Sequence, residues 1–171
     1  MSDVKDLTDV GGAALTPNQR KQFETVHSLL LPLNKEILIL PNAAVAEIVP
    51  YSEPDKVNDA PEWFMGYLTW RDRRVPFVSF ELVSDGEPGK LHKSCRIAVL
   101  NTLNGNTELP YIAVLSQGLP SLQLVRPNNI QYTDNQAEQR QSIKAYVNLN
   151  GIAAIVPDID ALESRILSLH N

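Results

Sequence analysis

The chain has 171 residues and a mass of 19.0 kDa, 43% of them hydrophobic and 20% charged. That length suits one domain, or two very small ones packed as a unit, and buries about 70% of the unfolded surface without disulfides or metal. Fifteen Lys and Arg against twenty Asp and Glu give a net charge of -5 and a pI near 5.2, which argues against a nucleic-acid binder tracking phosphates.

Residues 1–25 are polar, and Gly11-Gly12 and Pro17 break any regular pattern. They read as a flexible leader, with one helical turn around 18–25. The leader has no apolar core of signal-peptide length, and no run approaches the roughly 20 apolar residues of a membrane span. The expected compartment is the cytoplasm, without membrane insertion. Residues 26–171 read as a single domain.

Within it, residues 26–33 and 36–40 are apolar bursts flanking Asn34-Lys35, a tight hairpin in which Asn tolerates positive φ. Pro32 weakens the first strand or places it at an edge. Residues 43–49 continue as a strand, and 51–62 form a long loop. A second hairpin runs from 63–70 to 75–82 across Arg71-Asp72-Arg73-Arg74. In its second arm Val78, Phe80 and Leu82 alternate with Ser79 and Glu81, a strand period. Residues 84–93 are a loop. Strands at 96–100 and 111–115 surround an Asn104-Gly105-Asn106 turn, and 119–125 adds another strand. Residues 128–142 are polar and glutamine-rich, a loop with room for one helical turn. Strands 145–149 and 152–156 flank Asn150-Gly151, the strongest two-residue hairpin signal in the chain. Finally Asp158 or Asp160 caps a helix in which Ile159, Leu162, Ile166 and Leu169 share one face. About ten short strands with frequent turn signals and one terminal helix indicate an all-β barrel or sandwich.

Few residues carry chemistry. His27, His92 and His170 lie in no metal-ligand spacing, and the lone Cys95 excludes an internal disulfide or a multi-cysteine site. Cys95 opens an apolar strand, where cysteine usually acts as a small inert hydrophobe. The rival reading is a small enzyme using Cys95 with His92. No G-x-S-x-G elbow, P-loop or G-x-G-x-x-G is present. No catalytic group, cofactor, metal or small-molecule substrate is expected.

Two polar features stand apart. Glu47 is an acid within an apolar strand, so it lies on an exposed face or meets a partner. Arg71–Arg74 is a local +2 within an acidic protein. It is either a solvated turn or a set of cations presented to another macromolecule. Trp63, Trp70 and Arg71 cluster in sequence here, and exposed Trp with Arg is typical of interface anchors.

At these residues the chain resembles CheW-like domains. Ala60-Pro-Glu-Trp-Phe-Met-Gly-Tyr-Leu-Thr-Trp-Arg-Asp-Arg-Arg-Val-Pro-Phe-Val-Ser-Phe80 resembles that family's central signature, Val45-Ala46-Glu47-Ile48 its V-x-E-I segment, and 150–162 its closing strand and helix. The similarity spans about residues 26–169, and is narrowest toward accessory members in clusters controlling twitching motility. It implies two intertwined five-stranded SH3-like β-barrels with a short C-terminal helix. It also implies a non-catalytic adaptor joining a chemoreceptor signalling tip to the regulatory domain of a CheA-type histidine kinase. By similarity Val45, Glu47, Gly66 and Arg71 fall at coupling positions, Glu47 and Arg71 as a pair, and Trp70, Asp72, Arg73 and Arg74 extend that surface. Thr69-Trp70 replaces the usual Asn-Leu and Asp72 the turn glycine, which makes room for a different receptor or an altered kinase contact. Ser116-Gln117-Gly118 departs from the usual acidic residue and glycine. The alternative within binding modules is an accessory barrel contacting another partner and not the kinase.

Overall fold

The computed structural model describes residues 16–18, 24–134 and 140–170. Most of the expected leader, including residues 19–23 of its helical turn, lies outside these residues. Among them are eleven strands. In chain order they are β1 (Val26–Pro32), β2 (Ile37–Pro41), β3 (Val45–Pro50), β4 (Phe64–Trp70), β5 (Arg73–Val78) and β6 (Arg96–Asn101). There follow β7 (Tyr111–Ser116), β8 (Ser121–Val125), β9 (Ile130–Thr133), β10 (Ile143–Leu149) and β11 (Ile152–Pro157). Helices α1 (Phe80–Val83) and α2 (Ile159–Leu167) and the short 3-10 helices Asn42–Ala44 and Ser168–His170 join them.

The strands form two curled sheets, the SH3-like halves, ordered β3-β6-β7-β5-β4 and β8-β1-β2-β11-β10-β9. The second sheet therefore has six strands, one more than the five expected. The five-stranded sheet is continuous in sequence, whereas the six-stranded one draws on both ends of the chain.

Alternation explains the unbroken apolar runs. In β6, Ile97 and Val99 face the inside of the five-stranded sheet with Val75, Phe77 and Leu115. Ala98 and Leu100 point the other way, into a central core shared with Leu31, Leu38, Phe80 and the α2 residues Ile159, Leu162 and Ile166. Strands buried on both faces lose the polar alternation. A third cluster, Leu30, Ile39, Val147, Leu149 and Ala154, fills the six-stranded sheet. Each such Leu, Ile, Val or Phe contributes about 1.5–3 kcal/mol through burial.

Several expectations need correction. The strand expected to reach residue 82 stops at Val78, and α1 follows. Ser79 caps it, its hydroxyl accepting from the Leu82 N–H. Glu81 is buried because its carboxylate accepts from the Asn34 N–H (3.1 Å) and the Ser79 hydroxyl (3.2 Å), donors without which the charge could not be desolvated. Within the region expected to be a loop, β9 pairs with β10 from Ile130↔Leu149 to Thr133↔Tyr146. As an edge strand with Gln131, Tyr132 and Thr133 exposed, it needs no apolar pattern. Residues 135–139 of that region lie outside the described residues. Pro32 is not on an edge strand, because β1 sits between β8 and β2. It is the last residue of β1, past the β8 pairing, and its carbonyl accepts from the Gln117 N–H (2.8 Å), tying the two sheets together. The hairpin at Asn34-Lys35 closes through Leu33 N–H to Glu36 O and needs no positive φ at Asn34. Asp158, rather than Asp160, caps α2, accepting from the Ala161 N–H.

Candidate functional site

The β4–β5 turn is shorter than the sequence suggests. Only Arg71 and Asp72 lie in it, both at positive φ (47° and 59°), while Arg73 and Arg74 belong to β5. Two successive left-handed residues make the type I′ geometry that matches strand twist, and Asp tolerates that region better than most residues. Because β5 alternates, the arginines separate. Arg73 lies over the Tyr111 ring (5.8 Å) and Arg74 over the Tyr67 ring (3.8 Å), on opposite faces of the sheet.

Glu47 reaches this turn from β3. A bulge between Val45 and Glu47 breaks the register with β6. Val45 and Ile48 then both pack toward the central core, while Ala46 packs inside the five-stranded sheet. Glu47 Oε2 accepts from Trp70 Nε1 (2.7 Å) and lies 3.4 Å from an Arg71 guanidinium nitrogen. The Arg71 guanidinium also covers the Trp70 ring at 4.6 Å. Because β3 and β4 are the two edges of their sheet, this cluster links those edges at one end of the half-barrel. The indole N–H is the shorter contact. Arg71, 66% exposed, keeps most of its donor fork free, and such an exposed pair adds at most about 1 kcal/mol.

Trp70 is not an exposed anchor. It is 9% accessible and meets Tyr111 edge-on at 4.9 Å between centroids. Trp63 lies at the far end of β4, against Phe64 and beneath Arg165, so the sequence cluster of the two tryptophans does not form in space. Gly66 is buried and presents no surface. Its φ is 129°, and a Cβ there would sit 2.3 Å from the Asp55 carbonyl oxygen. The glycine lets Asp55 pair with Tyr67 and close the open edge of β4. Tyr111, which the sequence marks only as the start of a strand, turns out to support both Trp70 and Arg73. Tyr111 opens β7, two strands after β5, and no local sequence signal links it to the β4–β5 turn.

Cys95 and His92 do not form a catalytic pair. Cys95 is 1% exposed and its sulfur neighbours the Lys90 carbonyl and Gln117 Oε1, whereas exposed His92 accepts from the Ser94 N–H. No group of three or more His, Cys, Asp or Glu among the described residues is arranged to hold a metal ion. Nor is any helix there long and apolar enough to cross a membrane.

Sequence comparison matches the CheW-like domain family to residues 27–166 of this chain. The chain belongs to the CheW-like family. Among solved structures it is similar to the scaffolding protein TtCheW from Thermoanaerobacter tengcongensis, at a TM-score of 0.65 and 14% identity. That likeness covers 77% of this chain and 88% of the other, and it is one of fold. No curated protein matches this chain in sequence.

Proposed function

We propose that this CheW-like protein is a non-catalytic cytoplasmic adaptor coupling chemoreceptors to a CheA-type histidine kinase. The observation that carries this reading is the Glu47–Trp70–Arg71 cluster, in which an exposed guanidinium is aimed by a carboxylate and an indole at one end of the five-stranded sheet. Asp72 and Arg73 continue that surface, whereas Val45 packs toward the central core and Gly66 meets the Asp55 backbone. Acting as a scaffold, the protein brings receptor and kinase together and shifts the kinase's conformational populations. Individual contacts of micromolar affinity, about -8 kcal/mol, suit an array that gains strength by avidity.

The narrower resemblance, to ChpC-type accessory adaptors, supports a role in type IV pilus twitching motility. The replacement of the usual Leu and Gly by Trp70 and Asp72 favours a second reading, an accessory adaptor that contacts a receptor but not the kinase. One titration separates the two: purified protein against a receptor signalling fragment and, separately, against the kinase regulatory domain. Coupling predicts saturable binding to both, and the accessory reading to the receptor alone. Charge reversal by Arg71→Glu or Glu47→Lys weakens the binding observed without moving the melting temperature much. Unaltered binding in both variants removes this cluster from the interface.

A further inference from the structure

The face of β4–β5 opposite the Glu47 cluster carries a second polar assembly. A cavity of about 470 Å³ opens between this hairpin and the end of α2. Its polar wall is Tyr67, Arg74, Glu108 and His170, and Leu109 and Ile166 lie at its floor. The wall is ordered from within. The Arg74 guanidinium lies 3.8 Å from the Tyr67 ring centre, and the Tyr67 hydroxyl shares a 2.8 Å hydrogen bond with His170 Nε2. Stacking uses the flat face of a guanidinium and leaves its N–H fork, the edge that recognises carboxylates, directed outward. Arg74 forms no salt bridge among the described residues, although Glu108 lines the same cavity. The floor is buried while Arg74, Glu108 and His170 are exposed, so the cavity is an open trough with an apolar base and a polar lip whose one guanidinium, Arg74, makes no salt bridge among the described residues.

We infer that this trough is a binding site for an acidic peptide segment of a partner protein, an apolar side chain resting on Leu109 and Ile166 and a neighbouring carboxylate paired with Arg74. A small free carboxylate in an open trough keeps much of its hydration and gains little, whereas a peptide held along the rim places its side chains there at lower entropic cost. Glu108 beside the fork disfavours dianionic phosphate and suits a single negative charge. The site is independent of the coupling surface, since Arg73 and Arg74 point to opposite faces.

The test is an NMR titration of the full chain with a capped Gly-Ser-Leu-Glu-Ser-Gly peptide, following Tyr67, Leu109 and His170. The expected result is saturable shifts at these residues, with binding at least about fivefold weaker for the same peptide carrying Gln in place of Glu. Arg74→Gln, an exposed change that leaves the fold intact, abolishes the preference for Glu, and Glu108→Gln tightens the Glu peptide. Equal binding of the two peptides, a preference that survives Arg74→Gln, or shifts elsewhere on the surface overturns the proposal. So does tighter binding of hexanoate or inorganic phosphate than of the Glu peptide.

Discussion

Gly66→Ala isolates the backbone arrangement on which the five-stranded half depends. At a φ of 129° the substituted residue enters a region that L-residues rarely adopt, which costs about 1–3 kcal/mol. The new methyl would lie 2.3 Å from the Asp55 oxygen and 2.9 Å from its carbonyl carbon. Both are backbone atoms, so no rotamer change relieves the clash. Asp55 must withdraw, which breaks the reciprocal hydrogen bonds between Asp55 and Tyr67, each 2.9 Å and each worth about 1 kcal/mol. The expected loss is about 3–5 kcal/mol of a total that is typically about 5–15 kcal/mol. For a chain of this size that corresponds to a fall of about 10 °C in melting temperature. Urea unfolding and thermal melts measure both quantities. A loss below about 1 kcal/mol with an unchanged midpoint would show that β4 tolerates a side chain here and that the Asp55 closure is not what requires glycine.

Two further outcomes follow from polar groups set into the fold. Arg140→Met should destabilise by about 2–3 kcal/mol, since it strips the bidentate partner from Glu36 and the donor to the Ser84 carbonyl. Adding Glu36→Gln to that variant should recover part of the loss, and urea midpoints of the single and double variants decide whether the two residues are coupled. Tyr51 has its phenol pushed above its ordinary value near 10, by burial first and then by Glu53 and Cys95. The neutral phenol is therefore favoured in the folded state. Its contribution is complete below about pH 10 and is lost as pH rises through the higher folded value. Alkaline urea midpoints should fall more steeply for the wild type than for Tyr51→Phe, and parallel decline in the two proteins would refute the assignment.

Hairpins were the most legible part of the sequence, because their signals are local. Asn150-Gly151 sits in a two-residue turn with both residues at positive φ, and the terminal helix follows its apolar spacing to a buried Ile159, Leu162 and Ile166. Where the reading failed, a distant partner had overruled the local pattern. The alternation at 78–82 looks like a strand until Glu81 meets Asn34, 47 residues away in sequence. The polar stretch holding β9 looks like a loop until β10 supplies the edge it pairs with. The Glu47–Arg71 pair emerged only through family resemblance, for no spacing rule connects β3 to the β4–β5 turn. The division of Arg73 from Arg74 was hidden because the sequence does not say where the turn ends. Two left-handed residues end it after Asp72, and that single boundary assigns the two arginines to different faces.

The way the six-stranded sheet is assembled also bears on the order in which the protein forms. Strands β3 to β7 leave the ribosome together and can pair among themselves while synthesis continues. The β1–β2 hairpin is made earlier, yet Leu30 waits for Ser121 and Leu38 for Ile155. Domains acquire structure as they emerge, and long-range pairings close last. The β1–β2 hairpin therefore remains an apolar ribbon without its sheet neighbours until β8 and β11 have been made. The central core, which needs Ile159, Leu162 and Ile166 from α2, closes only after that helix has been made. Truncation before α2 thus leaves every strand of both sheets in place but uncovers the central core that Ile159, Leu162 and Ile166 close, a species more prone to aggregation than the full chain.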